Sequence, residues 1–337
     1  MTKKATIREV ASRVGVSVAT VSRVLNESPH VSEDTKKKVL KAMEELNYAP
    51  QITARKLASG KVQMLAVVVP SFTTPYFNEV LKGIKDEITK TDLDLVMYNT
   101  GSRNPEAGMK QFFDRGMADA VIILSIGVPD KVHKKLQATN TKTVLVNSSR
   151  KEYNYFQVND YRGGYLAGKH LAKQGFKEIG IISAATDPVP AVDRRRGFMD
   201  ALREYDLNVS DEFSVKGETK KHGGFSEEAG FEAIEKFEKN NRFPEAIFCL
   251  NDSMAIGAIY ALSRLGKKVP EDIAIMGYDN IKLSKYRDLT TIDQKMYDIG
   301  TQAIKRLMEL IHGTDEKLQQ ETIDPVLVER GSTVKKD

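Results

Sequence analysis

Apolar residues at the start of the chain recur with a helical period. Ile7, Val10, Ala11 and Val14 fall at i, i+3, i+4 and i+7, one face of a helix. Thr6 precedes them and Glu9 stands three residues on, the spacing of a capping box. Gly15 can take the positive φ that closes a helix, and Ser17 can cap the next. At about 100° per residue, Val21, Val24 and Leu25 share one side of a second helix, while Val18, Ala19, Ser22 and Arg23 face out. A third helix follows Ser32, with Glu33 and Asp34 in its first turn. Its inward positions are Thr35, Val39, Ala42, Met43 and Leu46; Lys36, Lys37, Lys38 and Lys41 point outward.

After residue 60 the pattern changes. Met64 to Pro70 is a continuous apolar run, as in a strand covered on both faces. Helical stretches near 77–91, 105–116 and 129–138 alternate with strands near 93–98, 120–125 and 142–147. A second set follows, with helices near 161–174, 191–205, 225–239 and 252–265 and strands near 178–183, 246–250 and 272–277. Such alternation predicts βαβ units on parallel sheets, and two series predict two similar lobes. Between headpiece and lobes, Pro50 can open a short helix and Gly60 can close it. That segment is too short to be stable alone and reads as a linker that folds only when held.

Charge sharpens the division. Residues 1–60 carry 11 Lys/Arg and 6 Asp/Glu; the rest carry 40 of each, so the whole net charge of +5 lies in the headpiece. That placement suits a surface that neutralises phosphates. An outward helix face of small residues plus one Arg suits a major groove, where apolar groups meet thymine methyls and Arg grips guanine O6 and N7. No apolar run follows Met1 and none is long enough to span a membrane, so a cytoplasmic protein is expected. Cys249 is the single cysteine, inside an apolar run, which excludes an internal disulfide. His30, His133, His170, His222 and His312 lack metal-ligand spacing, and no phosphate-cradling glycine motif is present. No catalytic residue, metal or cofactor is expected.

The headpiece resembles that of the LacI/GalR family of bacterial transcription regulators. The resemblance is carried by Gly15-Val16-Ser17, Ala19 through Asn26, Val31-Ser32, Leu46-Asn47-Tyr48, Pro50, Ala54-Arg55 and Leu57. It implies an all-α helix-turn-helix headpiece (1–49), a hinge helix (50–60) and an α/β, two-lobed, periplasmic-binding-protein-like core with parallel sheets (61–337). By the same resemblance the first lobe holds 61–160 and 293–319, and the second 161–289 and 320–330, with crossings near 158–162, 288–293 and 319–322. Leu57 matches the family's minor-groove wedge, a position that could also hold an ordinary packed leucine. Ser17, Val18, Ala19 and Arg23 are the expected groove contacts. Thr20, Ser22, Asn26 and the lysines of the third helix suit phosphates, and Thr6 and Ala54 complete the DNA-facing set.

Ligands of open α/β sheets collect at the carboxyl ends of strands. There Arg194 and Asp279 match the family's effector-binding Arg and Asp, a pair suited to a sugar or a nucleobase-like ring. Asn251, Asp252, Phe225, Phe72, Tyr76, Phe77 and Asp160 are further candidates. Asp252 and Asp279 could equally cap helices. The resulting expectation is a homodimeric repressor on a pseudo-palindromic operator, switched by a small effector, first a sugar or sugar derivative. A purine-like corepressor or a phosphorylated partner protein stands as the alternative. With no leucine heptads after Arg330, a dimer is favoured over a tetramer. A solute receptor or a sugar-processing enzyme would leave the basic headpiece unexplained.

Overall fold

The capping box forms at Thr6: its hydroxyl accepts from the Glu9 amide (3.3 Å), and the Glu9 carboxylate accepts from the Thr6 amide (2.6 Å). Helix α1 (Ile7–Val14) runs from there to Gly15, whose φ of 75° closes it. Helices α2 (Val18–Leu25) and α3 (Glu33–Glu45) pack on it around Val10, Ala11, Val21, Val24, Val39 and Ala42. Arg13 and Glu45 tie α1 to α3 at 3.2 Å. The computed structural model describes residues 5–25, 28–48, 64–101, 104–116 and 118–334. The chain divides into two compact units, Met1–Gln63 and Met64–Asp337. Asn26, Ala54, Leu57 and the whole linker helix lie outside the described residues.

The second unit holds two parallel sheets. Strands β1 (Met64–Val69), β2 (Asp94–Asn99), β3 (Ala120–Leu124), β4 (Lys142–Val146), β5 (Asn154–Val158) and β11 (Gln320–Ile323) make the first, in the order β11-β5-β4-β3-β1-β2. Its crossover helices are α4 (Pro75–Ile88), α5 (Pro105–Asp114) and α6 (Asp130–Ala138), and α12 (Met296–His312) packs beside α4 over β3–β5. The apolar runs of β1, β3 and β4 are buried on both faces, as their sequences require.

The second sheet has the order β7-β6-β8-β9, from β6 (Ile179–Ser183), β7 (Ser214–Lys216), β8 (Ala246–Cys249) and β9 (Ala274–Met276). Helices α7 (Asp160–Lys173) and α8 (Val189–Arg203) pack as a pair, as do α9 (Glu227–Lys239) and α10 (Asp252–Arg264). The short α11 (Lys282–Tyr286) leads to β10 (Thr291–Asp293), which pairs antiparallel with β12 (Val326–Val328) between the lobes.

The third crossing differs from expectation. Gln320–Ile323, assigned above to the second lobe, pairs in parallel with Tyr155–Val158 in the first sheet, so the chain leaves that sheet only after Ile323. The reason is its place at the sheet edge. Gln-Glu-Thr-Ile shows one half-solvated face and so lacks the apolar run that marks inner strands. The second lobe then takes the chain on through Ser332 and Thr333, both buried.

Candidate functional site

On the headpiece, the packing that buries Val21 and Val24 turns the opposite face of α2 outward. Val18 is 41% exposed, and Ser17, Ala19 and Arg23 are exposed too; Thr20 and Ser22 are half-buried. Ser17 caps α2: its hydroxyl accepts from the Thr20 amide (3.1 Å) and lies 2.9 Å from the Thr20 hydroxyl. Lys37, Lys38 and Lys41 are exposed along α3. The face is thus small, apolar at its centre and ringed by cations and hydroxyls.

In the second unit a polar cluster joins both lobes at the carboxyl ends of their strands. Arg194, on α8, is 6% exposed. Its Nε donates to Asp160 Oδ1 (2.7 Å), the first residue of α7, and its Nη1 donates to the Leu250 carbonyl (2.8 Å) just beyond β8. Nη1 also lies 3.7 Å from Asp279 Oδ1, and the guanidinium sits 3.8 Å from the centroid of the Tyr278 ring. The Tyr278 hydroxyl donates to Asp160 (3.3 Å), and Gln294 donates to Asp279 Oδ1. From the first lobe, the Tyr76 phenol takes a hydrogen bond from Asn147, shares one with Ser125, and feels the charges of Asp160, Asp279 and Arg194.

Burial pushes the carboxyls of Asp160 and Asp279 above the usual range; the nearby Arg194 pulls both back, while the buried carboxylate of Asp252 pushes Asp279 further up. Burial also raises the Tyr76 phenol, which stays neutral. Asp279, Asn280, Ser125 and Asn147 all carry positive φ (124°, 58°, 52° and 48°) in the turns after β9, β3 and β4. Strained non-glycine backbone gathered at strand ends is a mark of functional sites.

A close helix approach makes the Asp160–Arg194 bond. A Cβ on Gly164 would lie 1.9 Å from the Arg194 carbonyl, so only glycine lets α7 and α8 touch there. Across the cleft, the ring of His222 faces the first lobe, with Nδ1 3.5 Å from Ser71 Oγ and Nε2 3.4 Å from Thr73 Oγ1. Phe72 follows Ser71 and is partly buried.

Not every candidate faces the cleft. Asp252 is 0% exposed, and its oxygens accept from Ile281 N (2.9 Å), Ser284 Oγ (2.6 Å) and Thr291 Oγ1 (2.6 Å). Both its oxygens are engaged by the protein and the residue is fully buried, so it positions the Asp279 turn instead of offering itself to a ligand. Asn251 caps α10 through Met254 N (2.9 Å), and Phe77 is turned into its lobe beside Tyr76. Phe225 is half-buried on the second lobe next to the His222 turn. Sequence reasoning missed Gln294, although it stands one residue past an expected crossing. It also missed His222, in a loop whose departure from the family pattern was the available signal. Cys249 is buried in the core and its thiol is raised by burial, which leaves it inert. Among the described residues no acidic, His or Cys group could hold a metal, and no helix is long and apolar enough to cross a membrane.

Comparisons with known proteins agree with this division. Residues 6–51 match the bacterial regulatory proteins of the lacI family, and residues 169–333 match a periplasmic binding protein-like domain. The chain is 33% identical over 339 residues to the HTH-type transcriptional repressor PurR of Mannheimia succiniciproducens, covering 98% of this chain and 99% of that one. Among solved structures, it resembles a LacI family transcriptional regulator from Silicibacter pomeroyi (TM-score 0.83, 26% identity, 98% and 100% covered). It also resembles the lac repressor dimer bound to operator and the anti-inducer ONPF (TM-score 0.79, 26% identity, 98% and 100% covered). This chain belongs to the lacI family of bacterial regulatory proteins. It is a DNA-binding transcriptional repressor and not an enzyme.

Proposed function

We propose that this repressor works in the cytoplasm as a homodimer, with two headpieces on a pseudo-palindromic operator and a small polar ring bound between the lobes of each core. The observation that carries the sensing half is the Arg194 cluster, which draws side chains from both lobes into one buried network. A ligand there changes the lobe angle, and the angle sets the spacing of the linker segments of the dimer, an order–disorder element coupled to DNA. Arg194, Asp279, Asp160 and Tyr76 contact the ring, Phe72 and Phe225 flank it, and Asn251 lies behind. A sugar and a purine-like ring both fit this chemistry. Exposed Tyr260, Leu283 and Tyr286 on the second lobe and Tyr297 beside α4 supply apolar surface for the dimer.

On DNA, Val18 and Ala19 choose sequence and Arg23 grips a guanine. Thr20, Ser22 and the α3 lysines hold phosphates. Selection of binding duplexes from a random pool, followed by fluorescence anisotropy, tests both halves. Arg23→Ala should cost ~1–3 kcal/mol on the selected site and little on random DNA. Sugars or purines should shift operator affinity of the wild type. Unchanged specificity in the variant refutes the base contact.

A further inference from the structure

Every crossover helix of the two sheets follows the carboxyl end of a strand, so its N-terminus lies toward the ligand edge and could receive an anion. In this chain each of those seven helices is blunted. Helices α6, α7, α9 and α10 carry Asp130, Asp160, Glu227 with Glu228, and Asp252 in their first turns. Helices α4 and α8 have a proline in place of an early N–H donor, and α5 has both Pro105 and Glu106. The one guanidinium of the described cluster, Arg194, is already neutralised by Asp160 at 2.7 Å, leaving Asp279 as a second carboxylate without a cation of its own. Beside it Gln294, 0% exposed, donates to Asp279 and keeps its Oε1 buried without a hydrogen-bond partner.

We infer that the cleft takes an uncharged, hydrogen-bond-donating ligand and rejects phosphorylated or carboxylated forms of the same molecule. This rests on the sensing role proposed above. The surplus at the cluster is of acceptors: Asp279, which has more carboxylate than Arg194 can share, and Gln294 Oε1. Ring hydroxyls or ring N–H groups satisfy both. A phosphate brought to the same place meets two carboxylates, finds the Arg194 guanidinium already held by Asp160 and that of Arg330 held by the Leu289 carbonyl and Asn280, and finds acid or proline at the start of each of the seven crossover helices. Discrimination by uncompensated like charge costs a competitor far more than a missing contact does.

The test is calorimetric titration of the full-length protein with matched pairs: ribose and ribose 5-phosphate, glucose and glucose 6-phosphate, inosine and inosine 5′-monophosphate. At least one uncharged member should bind, and its phosphorylated counterpart at least tenfold more weakly. Asp279→Asn removes one carboxylate charge and should narrow that ratio even where overall affinity falls. A phosphorylated member that binds as well as its neutral counterpart overturns the inference and leaves the sensing role standing. A ratio unmoved by Asp279→Asn overturns its electrostatic basis. Silence from all six compounds overturns both readings together.

Discussion

Replacing Asp252 by asparagine should change the stability of the core by an amount that depends on pH. The wild-type carboxyl is fully buried and pushed up to about 6 by desolvation, against the pull of its hydrogen bonds from Ser284, Thr291 and Ile281. In the unfolded chain the same group titrates near ~3.9. Two pKa units correspond to roughly 3 kcal/mol of difference between the two protonation states. The native state therefore holds the proton more tightly. This contribution to stability is fully present below about pH 4 and is lost as pH rises through about 6. Asparagine carries no charge and has no such dependence. It costs a roughly constant ~1 kcal/mol, because its amide cannot accept from all three donors. The difference between variant and wild type should move in favour of the variant by ~2–3 kcal/mol from pH 4.5 to 7.5. Because Asp279 is a like charge close by, the comparison is repeated in an Asp279→Asn background. Urea unfolding followed by far-UV circular dichroism suits a chain without tryptophan. A difference that stays constant across this range would refute the claim that burial, and not the hydrogen bonds, dominates this carboxyl.

Two further substitutions probe the cluster. Arg194→Met leaves Asp160 and Asp279 buried without their guanidinium and should destabilise the core by ~3–5 kcal/mol, measured by urea unfolding near neutral pH; acid should relieve part of that loss by protonating the carboxyls. Gly164→Ala puts a methyl 1.9 Å from the Arg194 carbonyl, forces α7 and α8 apart, and should cost ~1–3 kcal/mol with weakened ligand response.

The legible parts of the fold were those whose physics is local. Alternation of apolar runs with helical periods marked β1, β3, β4, β6 and β8 because both faces of these strands are buried. The capping box at Thr6 and the inward set of α2 were readable because caps and 3.6-residue periods need no distant partner. What escaped depends on long-range pairing. Strand β5 and edge strand β11 are short and alternate in polarity, and β10 and β12 exist only because each covers the other. The 17-residue α12 was passed over although its apolar face is plain once α4 is there to receive it. Among site residues, Arg194 and Asp279 could be aligned from their neighbours Gly197-Phe198 and Gly277-Tyr278. Gln294 acquires meaning only through Asp279, and Asp252 changes meaning once Ser284 and Thr291 close over it.

The same long-range bonds explain how a ligand at the cluster can reach the strands that join the lobes. Asp279 pairs through its backbone with the end of β10 (its amide donates to the Ile292 carbonyl at 2.9 Å) and through its side chain with Gln294, one residue further on. Asp252 holds Thr291 of the same strand. Arg330, just past β12, donates to Asn280 (2.7 Å) and to the Leu289 carbonyl (2.6 Å), so the two crossing strands are both tied to the Asp279 turn. That turn is held at positive φ in two consecutive non-glycine residues, a conformation that persists only while the surrounding bonds enforce it. If a ligand competes for the Asp279 carboxylate, as proposed above, it acts on a turn to which both strands are fastened, without a chain of intermediate residues between recognition and hinge.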